Sequence, residues 1–298
     1  LTIGIPSVPR LRHVDYLTET IESLLSELPD DHTDPLYGRV KVIVMNNKPG
    51  EHIVFQDLKD KLRRMRTSSA LGRKADLYVE FVDNPGSLGD PRPDLPPVDD
   101  LNNPTSRPGA EVRKQTANLI TLMKMAEPLS HYYLFMEDDF HVCPHAIRLL
   151  NYATRKINVI SKQWLALRVS YGMNGILMRN SDLRSLYNYL WNHIIRLPPD
   201  LLWREWYGGE AEAAQAVRKR KLHVYKYNLM HHIGAVSSFA VRPDRDRWPG
   251  CFESMANVWS LATSEEFDRR RCPGNDISPC PLTDPGLEEW TANNLEFG

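Results

Sequence analysis

Strand-like and helix-like segments alternate along the first half of the chain, and this alternation limits the possible folds more than any other feature. Val40 to Met45 is an apolar run rich in β-branched residues, which is typical of a strand buried in a parallel sheet. Tyr16 to Leu28 carries apolar residues three and four positions apart, which predicts a helix with one buried face. The other predicted strands are Leu1 to Pro6, Leu77 to Val82 and His131 to Met136, and the other predicted helices are Ile53 to Met65 and Glu111 to Ala126. This alternation predicts an α/β fold, in which helices cover a parallel sheet.

Length, charge and composition exclude several other classes of protein. The 298 residues suffice for one large domain or two small ones. With 37 Lys and Arg against 38 Asp and Glu, the net charge is −1, which argues against nucleic-acid binding through phosphate neutralisation. The 7 Trp and 12 Tyr exclude disorder as the dominant state. No stretch approaches the roughly 20 apolar residues that cross a bilayer, so we expect any membrane anchor to precede Leu1.

Two segments interrupt the alternating pattern. Asp83 to Gly109 is crowded with Pro, Gly, Asp and Asn, and predicts a long loop without helix or strand. Residues 240–298 are rich in Pro, Gly and charge, and predict a C-terminal tail packed on a domain formed by residues 1–239. The 4 cysteines fit no zinc module. We predict a disulfide among Cys251, Cys272 and Cys280, because that tail would gain most from a covalent link, with free thiols as the alternative.

An acidic triplet, Glu137-Asp138-Asp139, directly follows the predicted strand at His131 to Met136. Ligands bind at the carboxyl ends of strands in α/β sheets, so the triplet lies where a site is expected. Three adjacent carboxylates repel one another, and a divalent cation such as Mg²⁺ or Mn²⁺ would relieve the repulsion. A solvated acidic turn that caps the next helix is the alternative.

A second landmark is the pair His231-His232, which follows the alternating segment Lys221 to Tyr227. Histidine could complete the shell of a metal ion bound to the triplet. Taken alone, such a pair is more often a packed or surface feature than a ligand.

Four motifs, in order, resemble the N-acetylglucosaminyltransferase IV family. They are Thr2-Ile3-Gly4-Ile5-Pro6-Ser7-Val8 with Arg10, Arg113-Lys114-Gln115 with Asn118, Tyr132-Tyr133 with Glu137-Asp138-Asp139, and His232-Ile233-Gly234 with Ser237-Ser238. The resemblance implies a GT-A-like fold, with a Rossmann-type nucleotide-binding half, a mixed sheet and an acceptor-side half. It also implies an inverting, metal-dependent glycosyltransferase that moves GlcNAc from UDP-GlcNAc to a mannose of an N-glycan in β1,4 linkage, in the Golgi lumen. The alternatives are a UDP-GalNAc transferase acting on a GPI-anchor glycan and a non-catalytic sugar- or nucleotide-binding module of the same fold.

The resemblance also implies roles for residues at the nucleotide. Pro6, Ser7 and Arg10 follow the first strand and would touch the base, the ribose or a phosphate. Asn46 and Asn47 end the second strand, where they would read the uracil, and Arg113 would hold the pyrophosphate. The alternatives are a plain turn for the two asparagines and surface cations for the two arginines.

Further roles concern the metal and the donor. Asp139 and His232 would bind the metal, which we expect to be Mn²⁺ or another divalent cation. Glu137 and Asp138 would bind hydroxyls of the donor sugar or the ribose.

The same reaction needs a base that accepts the proton of the attacking hydroxyl. Asp200 matches the family position best, and Glu205 is the second candidate. A cap at the start of a helix is the alternative role for Asp200, because Asp is a favoured capping residue.

Overall fold

The computed structural model describes residues 1–11, 14–86, 89–100, 107–208, 220–236, 248–255 and 276–279. The helices are α1 (Leu17–Glu27), α2 (Ile53–Arg64), α3 (Ala70–Tyr78), α4 (Ala110–Ala126), α5 (Ala146–Ile160), α6 (Asn180–Asn192) and α7 (Pro199–Gly208). The strands are β1 (Thr2–Ser7), β2 (Lys41–Asn46), β3 (Val79–Asp83), β4 (Tyr132–Phe135), β5 (Phe140–Val142), β6 (Ala166–Arg168), β7 (Ile176–Arg179), β8 (Leu222–Tyr225), β9 (Met230–His232) and β10 (Ile277–Ser278). None of the described helices is both long and apolar enough to cross a membrane.

The main sheet has 8 strands in the order β10-β8-β6-β7-β4-β1-β2-β3. β3, β2, β1 and β4 are mutually parallel, so their carboxyl ends meet at one edge of the sheet. β7 then runs antiparallel to both β4 and β6, which makes the sheet mixed. β5 and β9 form a separate antiparallel pair. These elements confirm the predicted α/β fold, with a Rossmann-type parallel half and a mixed sheet.

Successive side chains of the central strands pack on opposite faces of the sheet. Val42 and Val44 of β2 are buried under α1, α2, α3 and α5, whereas Ile43 and Met45 are buried with α4, α6 and α7. A strand buried on both faces needs apolar residues at every inner position, which explains the continuous apolar run in β2.

The predicted elements of the first half form, with two differences. The sequence pattern predicts no helix where α3 forms, and Leu77 and Tyr78, predicted as the start of a strand, make the last turn of that helix. Ser69 begins this helix by accepting a hydrogen bond from the Gly72 amide at 3.0 Å. The described parts of the loop between β3 and α4 contain no helix or strand, as expected.

Two C-terminal segments contact the rest of the chain. Cys251 forms a disulfide with Cys143, so the disulfide prediction is wrong for Cys251. Short-range sequence pattern could not reveal this pair, because its members are 108 positions apart. Cys272 and Cys280 lie outside the described residues. β10 pairs with β8, and Asp276 next to it forms a buried ion pair with Lys156 of α5 at 2.5 Å. The division of the chain at residue 239 stays a prediction.

The close contact between β1 and β4 yields a stability prediction. A Cβ added at Gly4 would lie 2.5 Å from the Tyr133 hydroxyl oxygen and 2.7 Å from its ring carbon Cε2. We expect Gly4→Ala to lower the free energy of unfolding by about 1–3 kcal/mol, the usual cost of overpacking a core. The measurement is urea unfolding followed by fluorescence. Gly89→Ala is the control, because its Cβ would meet nothing within 4 Å. Equal stability of the two variants would contradict this packing.

Candidate active site

A cavity of about 680 Å³ opens at the carboxyl edge of the parallel strands. It lies beyond the ends of β1, β2 and β4, with the N-terminal part of α4 along one side. Of the residues given a role from the sequence, those that line it are Pro6, Arg10, Asn47, Glu137, Asp138, Asp139 and His232. Further polar side chains in the lining are those of Lys48, Asp100, Lys114, Gln115 and Asn118.

The acidic triplet is fixed by hydrogen bonds to three neighbouring parts of the fold. Asp138 accepts a hydrogen bond from the Ser7 hydroxyl at 2.6 Å, and its backbone carbonyl accepts one from the Thr20 hydroxyl at 3.0 Å. The Glu137 amide donates to the side-chain oxygen of Asn174 at 3.0 Å. The β1 end, α1 and the turn before β7 therefore hold the triplet in one conformation.

Arg10 is the cation that forms ion pairs with the acidic triplet. Its guanidinium forms a short ion pair with Asp138 and lies 3.2 Å from Asp139. Burial alone would lower the pKa of Arg10, but the charges of Asp138 and Asp139 outweigh it and raise that pKa. Burial raises the pKa of Asp138, although Arg10 and the Ser7 hydroxyl oppose the rise. One guanidinium thus offsets part of the repulsion within the triplet.

Asp139 and His232 face each other across the pairing of β5 and β9. Phe140 pairs with His232, and this register leaves His232 Nε2 3.4 Å from Asp139 Oδ2. Burial alone would raise the pKa of Asp139, but the hydrogen bond with His232 and the charge of Arg10 hold it below its ordinary value. A Cβ at Gly234 would lie 2.3 Å from Asp139 Oδ2 and 2.8 Å from His232 Nε2, so the pair needs glycine at that position.

Aromatic rings hold the His232 imidazole in place. The ring of Phe140 lies 4.9 Å from it, centroid to centroid, and the ring of Trp248 lies 6.4 Å away at 87°. Trp248 is stacked on Tyr171 at 4.8 Å, and the Tyr171 hydroxyl accepts a hydrogen bond from the His232 amide at 3.1 Å. Ser237 and Ser238 of the same motif lie outside the described residues.

The two candidate bases differ in their surroundings. Asp200 is exposed in the first turn of α7. Burial is the main cause that raises the pKa of the nearby Glu137 to about 8; the charge of Asp139 comes second, and the charge of Asp200 makes a smaller contribution. Glu205 is engaged elsewhere, because it accepts hydrogen bonds from Arg196 and from Tyr189 at 2.8 Å. The hydrogen bonds from Arg196 lower the pKa of Glu205. Neither Asp200 nor Glu205 is among the residues that line the cavity.

Three residues expected at the nucleotide, Ser7, Asn46 and Arg113, are not among those that line the cavity. Arg113 is 2% exposed and forms an ion pair with Asp90. Asn46 donates to Asp83 at 2.8 Å and accepts from the Lys48 amide at 2.9 Å. Asn47, expected to read the uracil with Asn46, does line the cavity, and so does Lys114 beside Arg113.

Three amides form a network where β2, β3 and α4 meet. The Asn84 side chain donates to Asn47 at 2.8 Å and to Asn118 at 2.9 Å, and both acceptors line the cavity. The sequence signal for this network is polar side chains directly after two adjacent strands, which also marks ordinary turns.

The donors at Asp139 and His232 suit a divalent metal. Carboxylate oxygen and imidazole nitrogen are ligands of Mn²⁺, and the two atoms converge on one point of the cavity wall. Within the part of the chain that the structure describes, no group of three or more His, Cys, Asp or Glu side chains is arranged to hold a metal. A metal held here by these two residues would therefore take its remaining ligands from substrate or water.

Several known proteins are similar to this chain in amino-acid sequence. No protein-family model matches the chain. Alpha-1,3-mannosyl-glycoprotein 4-beta-N-acetylglucosaminyltransferase C of Danio rerio is 24% identical over 241 residues, which cover 80% of this chain and 48% of that protein. Alpha-1,3-mannosyl-glycoprotein 4-beta-N-acetylglucosaminyltransferase B of Homo sapiens is 27% identical over 256 residues, which cover 80% of this chain and 42% of that protein. The chain thus spans less than half the length of these two relatives.

Solved structures give looser matches. The crystal structure of S. aureus TarS 1-349 in complex with UDP is 13% identical, with a TM-score of 0.41 over 77% of this chain and 59% of that one. A cytidylyltransferase from Leptospira borgpetersenii is 13% identical, with a TM-score of 0.39 over 75% of this chain and 74% of that one. Matches at this level say nothing about the function of the chain. The sequence matches, by contrast, agree with the resemblance stated from the four motifs, and the chain is similar in sequence to members of the N-acetylglucosaminyltransferase IV family.

Proposed function

We propose that this chain carries the catalytic domain of an inverting, metal-dependent glycosyltransferase that moves GlcNAc from UDP-GlcNAc to a mannose of an N-glycan in β1,4 linkage. The observation that carries the proposal is the pair Asp139 and His232, which face each other at 3.4 Å in the cavity at the carboxyl edge of the sheet. The relatives, which are named as 4-beta-N-acetylglucosaminyltransferases, support the choice of donor, acceptor and linkage.

In this proposal, Asp139 and His232 hold the metal, for which Mn²⁺ suits the mixed oxygen and nitrogen donors. The bound metal would supply positive charge to the diphosphate of the departing UDP. Arg10 and Lys114 both line the cavity and would add positive charge to the same phosphates.

Binding of the rest of the donor would fall to neutral and acidic groups. Asn47 and Asn118 present amides at the ends of the parallel strands, where the base would lie. Asp138 and Glu137 would accept hydrogen bonds from hydroxyls of the ribose or the sugar. Carboxylates suit this role because a sugar offers hydroxyl donors in fixed positions.

The proposed base is Asp200. An inverting transfer brings the acceptor hydroxyl from the side opposite the leaving diphosphate, and a carboxylate there would take its proton. Asp200 is exposed in the first turn of α7, and the resemblance to the transferase family supports it as the base. Glu205 is the weaker candidate because Arg196 and Tyr189 already bind its carboxylate.

We also propose that the protein works in the Golgi lumen on glycans of glycoproteins. The disulfide between Cys143 and Cys251 supports a compartment that is oxidising.

The metal role predicts how turnover of UDP-GlcNAc depends on divalent cations. Hydrolysis by the wild-type protein should stop in EDTA and return with Mn²⁺. Asp139→Asn and His232→Gln should each lower Mn²⁺-supported turnover at least about 100-fold, the upper range seen even for residues that only support a ligand. Asp57 is an exposed residue of α2, so Asp57→Asn is the control and should retain activity. Undiminished turnover in EDTA would contradict the metal role, and a preference for UDP-GalNAc in the same assay would contradict the donor.

The proposed base predicts a selective effect on transfer. Asp200→Asn keeps the size of the side chain and its capping ability, and removes only the proton acceptor. Transfer of GlcNAc to a mannose acceptor should fall by about 10²-fold or more, while the affinity for UDP, measured by calorimetry, should change little. Near-normal transfer by this variant would place the base elsewhere, and Glu205→Gln would then be the next variant to measure.

A further inference from the structure

A chain of hydrogen bonds connects the start of α2 to the acidic triplet. The His52 side chain accepts a hydrogen bond from the Phe55 amide at its Nδ1, and its Nε2 lies 2.8 Å from the Ser7 hydroxyl. The Ser7 hydroxyl in turn donates to Asp138 Oδ2 at 2.6 Å. His52 and Ser7 are 6% and 1% exposed, so water does not compete for these bonds.

The direction of these hydrogen bonds follows from the partners at the two ends of the series. Nδ1 of His52 accepts from a backbone amide, so the proton of the neutral ring sits on Nε2. Nε2 therefore donates to Ser7, which leaves the Ser7 proton for the carboxylate of Asp138. Burial, with the positive charge of Arg10 second, lowers the pKa of His52 to about 4, which keeps the ring in this neutral form at physiological pH.

The hydrogen bonds from His52 through Ser7 fix the orientation of the Asp138 carboxylate. Its Oδ2 is held by Ser7, so its other oxygen, Oδ1, is the one that meets Arg10. Asp138 lines the cavity, whereas neither Ser7 nor His52 is among the residues that do. The two buried residues therefore act on the cavity only through Asp138.

Helix capping alone does not require histidine at position 52. Short side chains do this well, as Ser69 does for α3 at 3.0 Å. Only an imidazole has an acceptor and a donor on opposite sides of a rigid ring, so it can cap α2 and still donate to Ser7.

We propose that His52 is a positioning residue of the nucleotide-sugar site, which acts through Ser7 to hold the Asp138 carboxylate in the orientation that binds a donor hydroxyl. This inference rests on the proposed function and adds to it a buried residue beyond the cavity wall.

Three variants test the proposal by steady-state kinetics with UDP-GlcNAc. His52→Asn keeps a good helix cap but loses the donor to Ser7, and Ser7→Ala breaks the chain at its centre. Each should raise the KM for the donor by about 10-fold or more, as loss of a supporting partner usually does, with a smaller change in kcat. The double variant should be no worse than the worse single variant, because both changes break one chain. Ser69→Ala is the matched control, which should lower the unfolding temperature without changing KM.

A spectroscopic measurement separates this proposal from the proposed function. In ¹⁵N-histidine NMR of the wild-type protein, His52 should show a protonated Nε2 and an unprotonated Nδ1, and Ser7→Ala should shift the Nε2 signal. Absence of turnover with any UDP-sugar would contradict the proposed function. A proton on Nδ1, or an unchanged KM in both single variants of an active enzyme, would overturn the role of His52.

Discussion

Repulsion among three adjacent carboxylates is the constraint on which the rest of the site depends. Glu137, Asp138 and Asp139 follow a buried strand, where burial makes unbalanced negative charge costly. Arg10 offsets part of this charge, and it can do so because β1 pairs directly with β4. His232 of β9 meets Asp139. The strand order of the sheet therefore also brings Arg10 to the acidic triplet.

Periodicity predicted the fold well wherever burial alone decides the structure. β2 is apolar on both faces because helices cover both, and this pattern is visible in Val42 to Met45 without any tertiary information. The sequence pattern predicts no helix at α3 and assigns Leu77 and Tyr78 to a strand, because both residues suit a strand as well as a helix. The Ser69 cap, and packing of Tyr78 against α1, decided between the two. The antiparallel pairing of β7 with β4 and the parallel pairing of β6 with β8 join segments far apart in the sequence, which local pattern does not encode.

The site was predictable in its elements but not in its exact side chains. Arg113 and Lys114 are adjacent on α4, where successive side chains point about 100° apart, so only the packing of the helix shows which one meets the cavity. The structure buries Arg113 against Asp90 and leaves Lys114 in the cavity wall. His52 carries no motif, because its contact with Ser7 exists only once α2 packs beside β1.

The most direct test of the account is the position of a metal in crystals soaked with Mn²⁺ and UDP. Anomalous diffraction at the manganese edge should give a peak within bonding distance of Asp139 Oδ2 and His232 Nε2, next to the diphosphate. Arg10 should then contact a phosphate oxygen instead of Asp139. UDP bound in the cavity with no manganese peak at these two residues, or with the peak elsewhere, would contradict the account.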